Sequence, residues 1–258
     1  MTKRGIRFLL SLLFIAPFAG CAAIPPSFVQ KPLSDAQVET ILSRIHEQDE
    51  RVFSFYRMGR LLAKDGLWEQ EAHVLIAGTK APFKIKVELT HPWGQPIAHI
   101  LVLGKRLEVL SYGEKRIYVG SFPTKALSRF FPGRVNDDLL WAAFRGYPAL
   151  LPHARIASLK ARQISVFDEK GKEIETLHFL PEGLQPEKIS FQEAGVSLVF
   201  SDFREEKGIR YAQRVKMGHE EDGRKLTLSN GKVVFNKTIP NQIFVLEKPP
   251  GFTTVYLD

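Results

Sequence analysis

One residue type stands out for its chemistry. The 258-residue chain has a single cysteine, Cys21, at the end of the run Phe18-Ala19-Gly20-Cys21. Lys3, Arg4 and Arg7 come first, followed by an apolar stretch from Phe8 to Phe18. A basic start, a short apolar run and small residues before a cut site make an export signal, too short to span a bilayer as a stable helix. The Ala-Gly-Cys ending matches the bacterial lipobox, where the cysteine becomes residue one and its sulfur is joined to lipid through a thioether. An ordinary secretory signal with an incidental thiol is the competing reading, but a lone cysteine in an exported chain wants a reason. Each buried methylene contributes about 0.8 kcal/mol, so two or three acyl chains hold a protein on a membrane for good. Ala22 follows the cysteine, where an Asp would resemble an inner-membrane retention signal. The expected location is therefore the periplasmic face of an outer membrane, anchored by palmitate-like chains.

Other chemistry is sparse. The chain has no Gly-x-Ser-x-Gly elbow, no His-Glu-x-x-His and no phosphate loop. Its seven histidines are dispersed. His91 and His99 could meet across a hairpin, but nothing in the sequence orients them. Asp137 and Asp138 form a carboxylate pair, yet they follow Asn136 at the start of an apolar stretch, where a cap and the helix dipole account for them. No catalytic residue, metal or cofactor is expected, and the chain does not read as an enzyme. One cysteine also rules out an intramolecular disulfide. The formal charge is +8, and the first 20 residues carry three of those positives and no acids, leaving +5. Lys and Arg are scattered among Asp and Glu, so anionic headgroups are plausible partners and nucleic acid is not.

One more stretch is unusual. Phe83, Ile85, Val87 and Leu89 alternate with Lys84, Lys86 and Glu88, which is the period of a half-buried strand. A second apolar run covers Ile97 to Leu103. Between them lies Thr90-His91-Pro92-Trp93-Gly94-Gln95-Pro96, a loop by virtue of its two prolines and its glycine. Trp93 sits at its tip, though Trp usually buries most of its area. The ring either folds back onto the sheet or is an apolar finger aimed at a membrane or an acyl chain.

Around these residues the elements can be placed. Residues 1–20 read as the signal and 21–33 as an acylated N-terminus and Pro-containing linker. Residues 34–258 read as one domain, a common size for large β architectures. Ser34 or Asp35 caps a helix whose stripe is Val38, Ile41, Leu42 and Ile45. From Val52 the chain is a meander of strands with short links, as antiparallel hairpins allow. Asp65-Gly66, Gly113-Glu114, Lys170-Gly171, Ala194-Gly195 and Asn230-Gly231 mark turns, the last being the strongest hairpin signal in the chain. Two short helices interrupt the meander: Pro123 to Phe131, and one capped by Asn136 that stops at Gly146-Tyr147-Pro148. Both carry too much apolar surface to stand alone, so they must lie over one face of the sheet. About a dozen antiparallel strands must curl, and a sheet curled round helices encloses an apolar space. The fold class is mainly β (α+β).

The run Leu89-Thr90-His91-Pro92-Trp93-Gly94, two hairpins, Ala126-Leu127-Ser128-Arg129-Phe130-Phe131 and a helix ending near Gly146-Tyr147-Pro148 together resemble the LolA/LolB superfamily of lipoprotein carriers. The outer-membrane receptor branch, LolB, is the nearer likeness. Pro240 to Gly251 resembles the superfamily's closing strand and loop. The resemblance implies an unclosed β-barrel with a helical lid over a cavity that holds the acyl chains of lipoproteins. It also implies an exposed apolar residue on the loop between the third and fourth strands, which matches Trp93, flanked by Pro92 and Gly94. Ile85, Val87, Leu89, Leu198 and Phe200 would line the cavity, and Leu127, Phe130, Phe131, Leu140 and Phe144 would cover it. Plain core packing is the other reading for each of them. The implied partners are membrane lipid, lipoprotein acyl chains and a periplasmic LolA-like carrier, with the chain itself a monomer. The alternative is an envelope lipoprotein that binds another lipid or docks a partner, again without catalysis.

Overall fold

The computed structural model describes residues 31–123, 131–180, 185–219 and 223–257. The signal, Cys21, residues 22–30 of the linker, and Leu127 and Phe130 of the first expected lid helix lie outside the described residues.

Helix α1 (Asp35–Glu50) leads. Strands β1 (Ser54–Asp65), β2 (Trp68–Thr79), β3 (Lys84–Thr90), β4 (Pro96–Leu103), β5 (Arg106–Ser111) and β6 (Arg116–Ser121) form the expected meander. Helix α2 (Asp137–Arg145) follows. Then come β7 (Arg155–Ala157), β8 (Gln163–Phe167), β9 (Glu173–Phe179), β10 (Pro186–Phe191), β11 (Val196–Glu206), β12 (Ile209–His219) and β13 (Lys225–Phe235). A 3-10 turn at Asn241–Phe244 leads to β14 (Thr253–Tyr256). All fourteen strands belong to one sheet, in the order β14-β6-β5-β4-β3-β2-β1-β13-β12-β11-β10-β9-β8-β7. β14 and β7 are free edges, so the sheet curls without closing. The architecture is the expected unclosed, mainly β form.

The join between β1 and β13 brings the two ends of the meander together. Asn230-Gly231 was expected to turn the chain here, and it does not. β13 runs straight through it, paired to β1 from Phe55 opposite Phe235 to Lys64 opposite Lys225. The register slips once, with Met58 opposite Lys232 and Gly59 opposite Asn230, so Gly231 is the extra residue of a bulge. A long partner strand holds both halves in one ladder, and the local turn preference loses to that pairing. Two short edge strands had no alternating pattern to reveal them. β14 pairs parallel to β6, against the antiparallel expectation for every link. It gets there because the chain after β13 crosses the convex face of the sheet. Phe244 is buried there against Ala77 and Leu101, under the Lys84 ammonium. Part of the Pro240–Gly251 stretch, expected as a closing strand and loop, is thus a 3-10 turn, and the closing strand comes later.

The concave face holds the core. Odd-numbered positions of β1 and β3 and even-numbered ones of β2 and β4 point inward, among them Phe55, Val74, Ile76, Val87 and Ile100, all buried. α1 begins with a capping box, in which the Ser34 N–H donates to Gln37 Oε1 at 2.9 Å. It buries Val38, Ile41 and Ile45. α2 starts as expected, with the Leu139 N–H donating to Asn136 Oδ1 at 2.9 Å. Instead of lying on the sheet by one face, it is buried from Leu139 through Arg145. The sheet wraps round it.

Gly146 ends α2 with φ +82°, and a Cβ there would lie 2.8 Å from the Ala212 carbonyl oxygen. Gly171 has a similar φ, +76°, with open space around it. Gly171→Ala carries only the left-handed strain of about 1–2 kcal/mol. Gly146→Ala adds a backbone clash, so urea denaturation should show it less stable than Gly171→Ala by a further 1–2 kcal/mol or so.

Candidate functional site

Between α2 and the concave sheet lies a small trough lined by apolar side chains. Its floor is Leu61 of β1, Val74 and Ile76 of β2, Val87 and Leu89 of β3, and Ala98 and Ile100 of β4. Val215 and Met217 of β12, with Leu226 and Leu228 of β13, complete the wall. The β1–β13 join is what makes these two groups of strands neighbours. Phe131, Ala143 and Phe144 close it from the helix side. The free volume is about 90 Å³, below the ~300–1,000 Å³ of typical ligand pockets. Phe131 and Phe144 meet edge to face with centroids 6.4 Å apart.

The structure divides the expected cavity residues. Val87, Leu89, Phe131 and Phe144 line the trough. Ile85, Leu140, Leu198 and Phe200 are buried but are not among its lining residues. Leu198 and Phe200 pair with Met217 and Val215, one strand further from the trough, and Ile85 lies two residues beyond Val87 toward the β2–β3 turn. These four pack as core. The β12 and β13 lining residues were missed, although Val215/Met217 and Leu226/Leu228 each keep the period of two. What the sequence lacked was any sign of which strand lies beside β1.

Trp93 is 70% exposed. It does not fold back onto the sheet but stacks on His91 in its own loop, with centroids 4.4 Å apart and planes 6° from parallel. The loop is tied by His91 N–H to Gln95 O and Gly94 N–H to His91 O, at 2.7 and 2.8 Å. His91 and His99 do not form a pair: His99 packs edge-on against Tyr112. A second exposed aromatic residue was overlooked. The β1–β2 hairpin ends in Gly66-Leu67, and beside it Trp68 is 78% exposed. The signal that picked out Trp93, an aromatic side chain beside a turn, was present here too. Because β1 to β4 alternate in direction, both tips project from the same end of the sheet.

Behind the trough sits a set of buried charges. Arg57 on β1 is fully buried and reaches the C-terminal end of α2. It donates to the Ala143 and Phe144 carbonyls at 3.2 and 2.5 Å and to the Ala212 carbonyl at 2.8 Å. The Ala143 and Phe144 carbonyls lie at the negative end of the helix dipole, and Ala212 belongs to β12. Burial lowers the Arg57 pKa to about 9, still charged at neutral pH. Arg145 donates to the Gln48 carbonyl and lies 3.5 Å from Asp49, which also accepts from Trp141 Nε1 at 3.1 Å and Lys80 Nζ at 2.5 Å. Asp49 therefore ties α1, α2 and the β2–β3 turn together. Burial, then Asp137 and Asp49, push Asp138 up to about 6. Glu175 on β9 is fully buried, and its Oε2 accepts from the Leu151 N–H at 2.9 Å. Burial pushes it up to about 8, against that hydrogen bond and with Asp138 adding. Among the described residues no three His, Cys, Asp or Glu side chains converge on a metal site.

No family model and no curated protein sequence matches the chain. Solved structures do match its fold. A LolA superfamily protein from Nitrosomonas europaea is 15% identical with a TM-score of 0.53, over 81% of this chain and 97% of that one. A DUF1329 family protein from Desulfovibrio piger is 12% identical, also at 0.53, over 80% and 95%. The fold of this chain is LolA-like.

Glu175 fixes a sign. A carboxyl whose folded pKa exceeds its unfolded value contributes its full stability below the unfolded value and loses it as pH rises through the folded one. Stability should therefore fall between the ordinary carboxylate range and about pH 8. Glu175→Gln should flatten that slope and be the more stable protein at pH 8, by a few kcal/mol. Urea midpoints across pH 5 to 8.5 measure it.

Proposed function

We propose that this chain is a lipid-anchored envelope protein that holds an acyl chain in the α2 trough and hands acylated cargo, lipoproteins first, to the outer membrane. The observation that carries this reading is the trough itself: an apolar-lined space inside an unclosed curved sheet of LolA-like fold. No covalent step is required. An acyl chain leaving one apolar site for another changes its surroundings little, so direction needs only a modest difference in affinity. Receptor-like behaviour, as in the LolB branch, is the finer form of the proposal.

The trough takes a chain by giving way. Arg57 fixes the C-terminal end of α2, and Asp49 fixes it to α1. The movable parts are the Phe131 and Phe144 rings, whose mutual contact is worth about 1 kcal/mol. A lipid methylene replaces those contacts with others equally apolar, so the net cost of widening is small. Acylation of Cys21 supplies the anchor, and the twelve residues 22–33 reach at most roughly 40 Å from it. Trp93, held outward on a short hydrogen-bonded loop, meets the headgroup region, where an indole is favoured.

Native mass spectrometry of the mature Cys21→Ser chain, purified from the envelope, should show acyl-bearing adducts. Val87→Phe fills the trough without adding charge and should reduce them by about tenfold. Wild-type adducts in that variant, or none in the parent, would count against an acyl site. Trp93→Glu should leave the circular dichroism spectrum intact and weaken vesicle binding by about tenfold. Unchanged binding removes Trp93 from membrane contact.

A further inference from the structure

The trough has a neighbour. Under the β1–β2 hairpin lies a cleft of about 350 Å³, walled on one side by Ala63, Trp68 and Gln70 and on the other by Pro132 and Arg224. Its inner wall is Phe131 and Leu226, and both residues also line the trough. The two spaces thus share a wall made of these two side chains. Phe131 is held on the trough side by its edge contact with Phe144.

The hairpin over this cleft is paired to β13 on its β1 side and open on its β2 side. His73 is the last β2 residue paired to β3, opposite Thr90, so Trp68–Ala72 pair with β1 alone. Those five residues project about 17 Å past the end of β3. Leu67 at the tip is fully exposed, and the Trp68 ring faces the cleft side of the hairpin. An apolar tip over a cleft that ends at an apolar wall has the chemistry of a passage for hydrocarbon. The rim carries Asp65, Gln70 and Arg224, groups that would keep a polar head outside while the tail goes in.

We propose that this cleft is the port by which a single acyl chain enters the trough tail first, that Phe131 is its gate, and that Trp68 guides the chain to it. The inference rests on the acyl-binding reading and adds the route, the orientation and the gating side chain. With the Phe131 ring turned aside, cleft and trough become one channel within the size range of ligand pockets. The matching ligand is a one-tailed amphiphile, or one tail of a larger lipid.

The test is stopped-flow loading of cis-parinaric acid, a fluorescent fatty acid, into the mature Cys21→Ser chain. Ala63→Trp puts bulk into the cleft outside the trough and should slow loading by roughly tenfold. Phe131→Ala should speed it several-fold. Met58→Trp, on the convex face, should load as the parent does. Trp68→Arg changes an exposed side chain and should slow loading even if Ala63→Trp fails to fold. If Trp68→Arg, and each of the other two that folds, loads at the parent rate, the port is refuted and the carrier reading stands. If the parent takes up no parinaric acid, the carrier reading fails and the port with it.

Discussion

A helix buried from Leu139 to its last residue, Arg145, must satisfy its C-terminal end without water. That constraint organises this protein. The last carbonyls of α2 point into the core, where an unpaired one would cost on the order of 1–3 kcal/mol. Arg57 answers by donating to the Ala143 and Phe144 carbonyls, and it also bridges to the Ala212 carbonyl of β12. A buried guanidinium is itself costly, and it is tolerated because each hydrogen bond is charge-assisted and the helix dipole points its negative end at the cation. Arg145, on the helix itself, reaches the other way to Gln48 and Asp49 of α1. The helix therefore cannot slide or lift as a whole without stranding two cations.

Strands β1 to β4 and β12 to β13 surround α2, and their inward side chains leave a space of about 90 Å³ beside it. Ala143 is the helix residue with the smallest side chain on that space, and its size leaves room there. An apolar void of this kind stays dry, which keeps it available to hydrocarbon.

Much of this was legible in the sequence. The cap of α1 was narrowed to Ser34 or Asp35, and those of α2 were readable from Asn136 and Gly146, since capping depends on neighbours a few residues away. The strands of the meander were readable from period two, and the curl from their number. Non-local pairing was not. Asn230-Gly231 has the composition of a turn and is a bulge, because β1 is long enough to pair with everything on either side of it. Leu198 and Phe200 have the same alternation as Val215 and Met217; the first pair was expected to line the cavity and the second was missed, because periodicity does not say which pair faces the gap. Arg57 gave no signal at all. An arginine in an alternating strand reads as a surface residue until the helix it caps is found opposite.

The sheet is asymmetric, and the asymmetry bears on how cargo could move. On one side the C-terminal chain binds the convex face. Phe244 is buried over Ala77 and Leu101, Phe252 packs on Tyr112, and β14 adds itself to β6. The β2–β3 turn is held by the Lys80–Asp49 ion pair. In the far half of the β1–β2 hairpin, β1 stays paired to β13 as far as Lys64, but β2 has lost its β3 partner beyond His73. Local opening is cheapest where backbone hydrogen bonds are exposed and apolar contacts few. Beyond His73, β2 is held by β1 alone, so fraying of this hairpin begins on β2, over the cleft that ends at Phe131, while the anchors of α2 hold the C-terminal end of the helix in place.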